Sequence, residues 1–121
     1  MRILLAYDGS EQARAALEEI ARRPWLEGTE VKVVTVIEPP FLTMTLEGDF
    51  QGPLLAEVEG VLEKDATRRV RQALDRLVVR EDLKVTSEIR RGSPRCEILE
   101  TVREWGGDLV MAGSRGLGPL G

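Results

Sequence analysis

Apolar and polar positions alternate along this chain in two rhythms. Arg2-Ile3-Leu4-Leu5-Ala6-Tyr7 is a continuous apolar run, the pattern of a strand buried on both faces. Asp8-Gly9-Ser10 ends it. From about Glu11 to Arg23 the rhythm becomes helical, with Ala13, Ala16, Leu17, Ile20 and Ala21 along one face. Ser10 is placed to cap that helix and Pro24 to stop it. Val31 to Ile37 reads as a second strand, closed by Glu38-Pro39-Pro40.

Leu54 to Val79 predicts a long amphipathic helix. Leu55, Val58, Leu62, Ala66, Val70, Ala73, Leu74 and Leu77 form its apolar stripe, and Arg68, Arg69, Arg71 and Arg76 its solvated side. Leu83, Val85, Ser87 and Ile89 alternate as in a half-covered or edge strand, which Arg90-Arg91-Gly92 turns. Ser93-Pro94 is an N-cap followed by proline at the first helical position. The helix that follows buries Ile98, Leu99, Val102 and Trp105, and Gly106-Gly107 ends it. Asp108 to Ala112 is the fourth strand. The order β-α-β-α-β-α-β implies an open parallel sheet with helices on both faces and right-handed crossovers. The one long link, Glu38 to Pro53, is either a surface loop or a flap over a ligand.

Composition narrows the function classes. At 121 residues, 42% hydrophobic and 31% charged, the chain is expected to be one globular domain. A net charge of −4 with scattered basic residues argues against nucleic acid or an anionic membrane as a partner. No apolar stretch is long enough to span a bilayer and no signal peptide is visible, so the expected compartment is the cytoplasm. The single cysteine, Cys96, allows no internal disulfide and is expected to be inert. The chain has no histidine, which removes Ser-His-Asp and Cys-His catalysis and histidine metal sites. No Gly-x-x-x-x-Gly-Lys-Ser/Thr occurs, and the first turn has no Gly-x-Gly-x-x-Gly.

Two apolar strands empty into glycine turns: Asp8-Gly9-Ser10 after the first, and Gly113-Ser114-Arg115-Gly116 after the fourth. Glycines expose backbone N–H groups without side-chain bulk, so such turns can wrap a phosphate. Each N–H bond to a charged oxygen contributes roughly 1.5–3 kcal/mol, against the roughly 8 kcal/mol that micromolar binding requires. The residues also have plainer roles. Asp8 and Ser10 suit helix capping, Gly113 and Gly116 suit a simple turn, and Arg115 suits solvent. Trp25 and Trp105 read as core or rim.

Four segments together resemble the universal stress protein family: Ile3–Tyr7 with Asp8-Gly9-Ser10, Val33–Ile37 with Glu38-Pro39, Gly92-Ser93-Pro94, and Asp108 to Gly116. The resemblance covers the whole chain in order. It implies a flavodoxin-like, Rossmann-like α/β sheet with strand order 3-2-1-4(-5) and a ligand crevice where the chain reverses between strands 1 and 4. Many members of the family bind ATP. By resemblance, Asp8 lies near the ribose or a phosphate-bound magnesium, and Val36 meets the adenine through its backbone. Gly113, Ser114, Arg115 and Gly116 meet the ribose and phosphates. Ala6, Ser10 and Met111 complete the expected binding set at the strand ends.

Gly113 and Gly116 match the first two glycines of the family's ATP motif. Its later glycine-serine, last helix and fifth strand, which commonly pairs across a homodimer, are missing from the 121 residues. This leads us to expect part of a longer polypeptide, a first helix without its neighbour and an open edge at strand 4. A phosphoacceptor receiver domain shares the strand order, but it needs an aspartate where this chain has Ile89-Arg90-Arg91-Gly92. Two functions remain: an ATP-binding stress or regulatory protein with at most slow hydrolysis, or a dimerising interaction module that binds no nucleotide.

Overall fold

The structure is a computed structural model that describes residues 1–38 and 52–112. Strands and helices alternate throughout: β1 (Arg2–Ala6), α1 (Glu11–Arg22), β2 (Glu30–Ile37), α2 (Gly52–Leu77), β3 (Lys84–Arg91), α3 (Pro94–Trp105) and β4 (Leu109–Ala112). The strands form one parallel sheet in the order β3-β2-β1-β4, as expected. β1 is interior, with Leu4 facing Lys32 of β2 on one side and Val110 of β4 on the other. Its unbroken apolar run follows from that position, since Ile3, Leu4 and Leu5 are all fully buried.

Each face of the sheet carries its own core. Ile3, Leu5 and Tyr7 pack with Leu17 and Ile20 of α1 and with Ala73 and Leu77 of α2. Leu4, Ala6 and Val34 pack with Ile98 of α3, and Val102, Trp105 and Val110 lie at the margin of that cluster. The layering follows from chain direction. Steps from β1 to β2 to β3 go one way, and right-handed crossovers place both connecting helices on one face. The step from β3 to β4 goes back, so α3 lies on the other. This corrects the expectation about α1: its neighbour is α2, tied to it by Arg76 and Glu18. The thinner side is that of α3, where Val110 and Ala112 are only half buried. Among the described residues β4 pairs with β1 alone.

Local chemistry explains the ends of the elements. Ser10 Oγ accepts the Ala13 N–H at 3.1 Å and caps α1. Arg23, the residue before Pro24, is extended at ψ 145°, and the helix stops there. Arg80 binds the carbonyls freed at that end, donating from Nη1 to Ala21 at 2.8 Å and Arg23 at 2.9 Å.

One boundary differs from expectation. Arg90 and Arg91 do not turn the chain: β3 continues through them, paired with Val36 and Ile37. The Arg90 side chain bonds Glu97 and Glu104 of α3 and its strand neighbour Glu88, so an edge strand accommodates a charge that would otherwise mark a turn. Its guanidinium is held charged above the usual arginine range, chiefly by the Glu97 hydrogen bond. Ser93 stands at the N-cap of α3 but makes no side-chain capping bond. The expected flap falls largely on residues 39–51, outside the described ones.

Candidate functional site

The site begins where β1 ends and β2 does not. The last backbone bond between them runs from the Tyr7 N–H to the Val34 carbonyl at 2.9 Å. β1 then turns off through Asp8 and Gly9, while β2 continues through Thr35, Val36 and Ile37. Backbone groups alternate sides along a strand. The Val34 carbonyl faces β1, so the N–H and C=O of Val36 face the same side, into the space β1 has vacated. Ile37 faces the other way, its carbonyl accepting the Gly92 N–H at 3.0 Å. The carbonyl that a continued ladder would offer Val36, that of Tyr7, accepts the Thr35 hydroxyl at 2.8 Å instead.

This space is a cleft of about 390 Å³, within the roughly 300–1,000 Å³ usual for small-molecule sites. Ala6, Val34 and Val36 line it from the sheet, Leu62 and Ala66 from α2, and Pro94 and Ile98 from α3. Its polar lining consists of Asp8, Glu38, Asp65 and Arg69, with Tyr7 and Thr35 at the strand ends. Asp8 is exposed, and its Oδ1 accepts the Ser10 N–H at 2.9 Å. Gly9 follows at φ +79°, a conformation that glycine adopts without cost. Arg69 lies against Gly9 and is held by Asp65, Nη2 to Oδ2 at 2.7 Å.

Of the residues expected at the site, the cleft brings Ala6, Asp8 and Val36 together. Ser10 stands one turn away as the cap of α1. Met111 pairs with Leu5 and packs into the α1-side core, and it does not line the cleft. Gly113, Ser114, Arg115 and Gly116 lie outside the described residues. The last described residue of β4, Ala112, pairs with Ala6 of β1.

Sequence reasoning missed the α2 wall. Leu62, Asp65, Ala66 and Arg69 stand at i, i+3, i+4 and i+7, one face of a helix. Two charges on an otherwise apolar face were the available signal. Arg69, assigned to the solvated side with Arg68 and Arg71, instead lines the cleft.

A metal would need partners here. No group of three His, Cys, Asp or Glu side chains among the described residues could hold an ion. The Asp8 carboxylate suits a magnesium that arrives on phosphates, the usual one-carboxylate arrangement. It could not hold a bare ion alone.

The model of the universal stress protein family matches residues 1–121. The chain belongs to that family. Its fold is shared by solved structures. The hypothetical protein MJ0577 is 25% identical, with a TM-score of 0.75 over 90% of this chain and 71% of its own. Universal stress protein UspA from Lactobacillus plantarum is 20% identical, with a TM-score of 0.72 over 96% of this chain and 80% of its own. A universal stress protein family member from Burkholderia pseudomallei is 21% identical, with a TM-score of 0.70 over 93% and 80% respectively. No curated protein matches the sequence. Among the described residues of this universal stress protein, no helix is long and apolar enough to cross a membrane.

Proposed function

We propose that this universal stress protein binds an adenine nucleotide, ATP with magnesium, in the cleft beyond β1. It would act as a nucleotide-responsive stress or regulatory protein of the cytoplasm, with at most slow hydrolysis. The observation that carries the reading is the paired N–H and C=O of Val36, turned into a cleft with apolar walls. Adenine presents an acceptor at N1 beside the N6 amino donor, and one residue's N–H and C=O meet both. The apolar side chains of Val34, Val36 and Ile98 suit the faces of the base.

Electrostatics favours a metal-bound nucleotide. Asp8, Glu38 and Asp65 face the cleft against the single guanidinium of Arg69, and bare phosphates there meet net repulsion. Magnesium, when bound, supplies charge neutralisation. Asp8 is the residue placed to meet it, through its carboxylate. The glycines and Ser114 at 113–116, joined to β4 beside Ala6, would add backbone donors to the phosphates.

Calorimetry and thermal shift with ATP and magnesium test the proposal on the full chain. Measurable heat with a raised melting midpoint is expected, weakened by Gly113→Val. Absence of both would leave the interaction-module function of the same fold. Stabilisation undiminished by the substitution would place binding elsewhere.

A further inference from the structure

A second groove, of about 580 Å³, opens on the α1–α2 side of the Asp8-Gly9 turn. It shares Asp8, Asp65 and Arg69 with the cleft, so the two are contiguous. Four guanidinium groups gather here, Arg14 from α1 and Arg68, Arg69 and Arg71 from α2, in a chain whose net charge is −4. Asp65 engages two of them, Arg69 at 2.7 Å and Arg68 at 3.5 Å. Asp8 and Asp75 also border the groove. Arg14 and Arg71 are exposed and form no ion pair among the described residues. Gln72 accepts the Tyr7 hydroxyl on Oε1 at 3.1 Å, which leaves its amide N–H groups as further donors beside them.

We propose that this groove is a phosphate-binding subsite, in which Arg14, Arg71 and the Gln72 amide hold the anion and Arg69 marks its boundary with the cleft. Two observations select this chemistry. Guanidinium forks match phosphate oxygens in pairs of parallel hydrogen bonds. The bordering Asp8, Asp65 and Asp75 leave room only for a compact anion held close to the guanidinium groups, and the overall negative field disfavours an extended polyanion such as nucleic acid. The phosphate belongs either to the nucleotide itself or to a separate phosphorylated small molecule. Its assignment to a nucleotide rests on the adenine proposal above; the groove does not.

Calorimetry on the full chain at low salt separates these cases. The ligands are adenosine 5′-phosphate, adenosine 3′,5′-bisphosphate and inorganic pyrophosphate. The proteins are the wild type, R14A/R71A and the charge-matched control R22A/R103A. At least one ligand should bind R14A/R71A about tenfold or more weakly than the wild type, with the control losing far less. Loss for pyrophosphate identifies a separate ligand. Loss confined to the nucleotides identifies a phosphate carried on the adenosine. Pyrophosphate binding that needs Arg14 and Arg71, without any nucleotide binding, keeps the groove and removes the adenine proposal. If no ligand distinguishes R14A/R71A from the control, or none binds, the subsite is wrong.

Discussion

The hydroxyl of Thr35 on β2 donates to the carbonyl of Tyr7 at the end of β1, 2.8 Å away, where both residues are almost wholly buried. This bond occupies the carbonyl that would otherwise continue the ladder to Val36. It lets the two strands part without a buried acceptor left bare. Thr35→Val keeps the shape and removes the donor. It should cost about 1–3 kcal/mol, the usual cost of an orphaned buried polar group, and weaken nucleotide binding as the strand ends shift. Urea titration and calorimetry check the two effects.

Gly9 should tolerate no other residue cheaply, for a backbone reason. At φ +79° it lies in the left-handed region, yet an added Cβ would come no closer than 3.6 Å to the Arg69 side chain. Gly9→Ala should therefore cost about 1–2 kcal/mol from conformation alone, with little steric penalty. Denaturant unfolding of the variant measures it.

The clasp between α1 and α2 makes stability sensitive to acid. Arg76 donates to Glu18 twice, Nε to Oε2 at 2.7 Å and Nη2 to Oε1 at 2.8 Å. The Arg76 hydrogen bond holds the Glu18 carboxyl below its ordinary range. A depressed carboxylate contributes stability above its unfolded value and loses it as pH falls through its folded one. The stability difference between wild type and Glu18→Gln should stay constant from about pH 7 to 5 and close below about pH 4. Melts at several pH values read it, and a gap undiminished at low pH would contradict the assignment.

The cleft should select its base. Guanine offers a donor at N1 and an acceptor at O6, the reverse of adenine, so both Val36 backbone groups would face like partners. Each mispaired group costs about 1–3 kcal/mol. Magnesium-ATP should bind at least about thirtyfold more tightly than magnesium-GTP, and competition calorimetry compares them.

The parallel sheet was legible because β1 carries the continuous apolar run of an interior strand, and because Ser10, Pro24, Pro94 and Gly106 punctuate the helices; the order of its strands came from the family resemblance. Arg90 and Arg91 misled, since charges on an edge strand resemble a turn until Glu97 and Glu104 are seen to pair with Arg90. The neighbour of α1 was misjudged because the steps β1 to β2 and β2 to β3 run the same way, so handedness puts α1 and α2 on one face and no later helix is needed there. At the site, Asp8 and Val36 were accessible through strand ends and family resemblance. Thr35 and Arg69 were not, because their roles depend on where β1 stops and on how α2 lies across it.

The most direct measurement is an amide NMR titration of the 13.5 kDa chain with magnesium-ATP. Binding at the end of β2 should shift the Val36 amide strongly and saturably, with smaller changes at Gly9 and at Ala66 on the cleft wall. A saturated complex in which the Val36 amide does not move, or a chain whose spectrum ATP leaves unchanged, would contradict the nucleotide site.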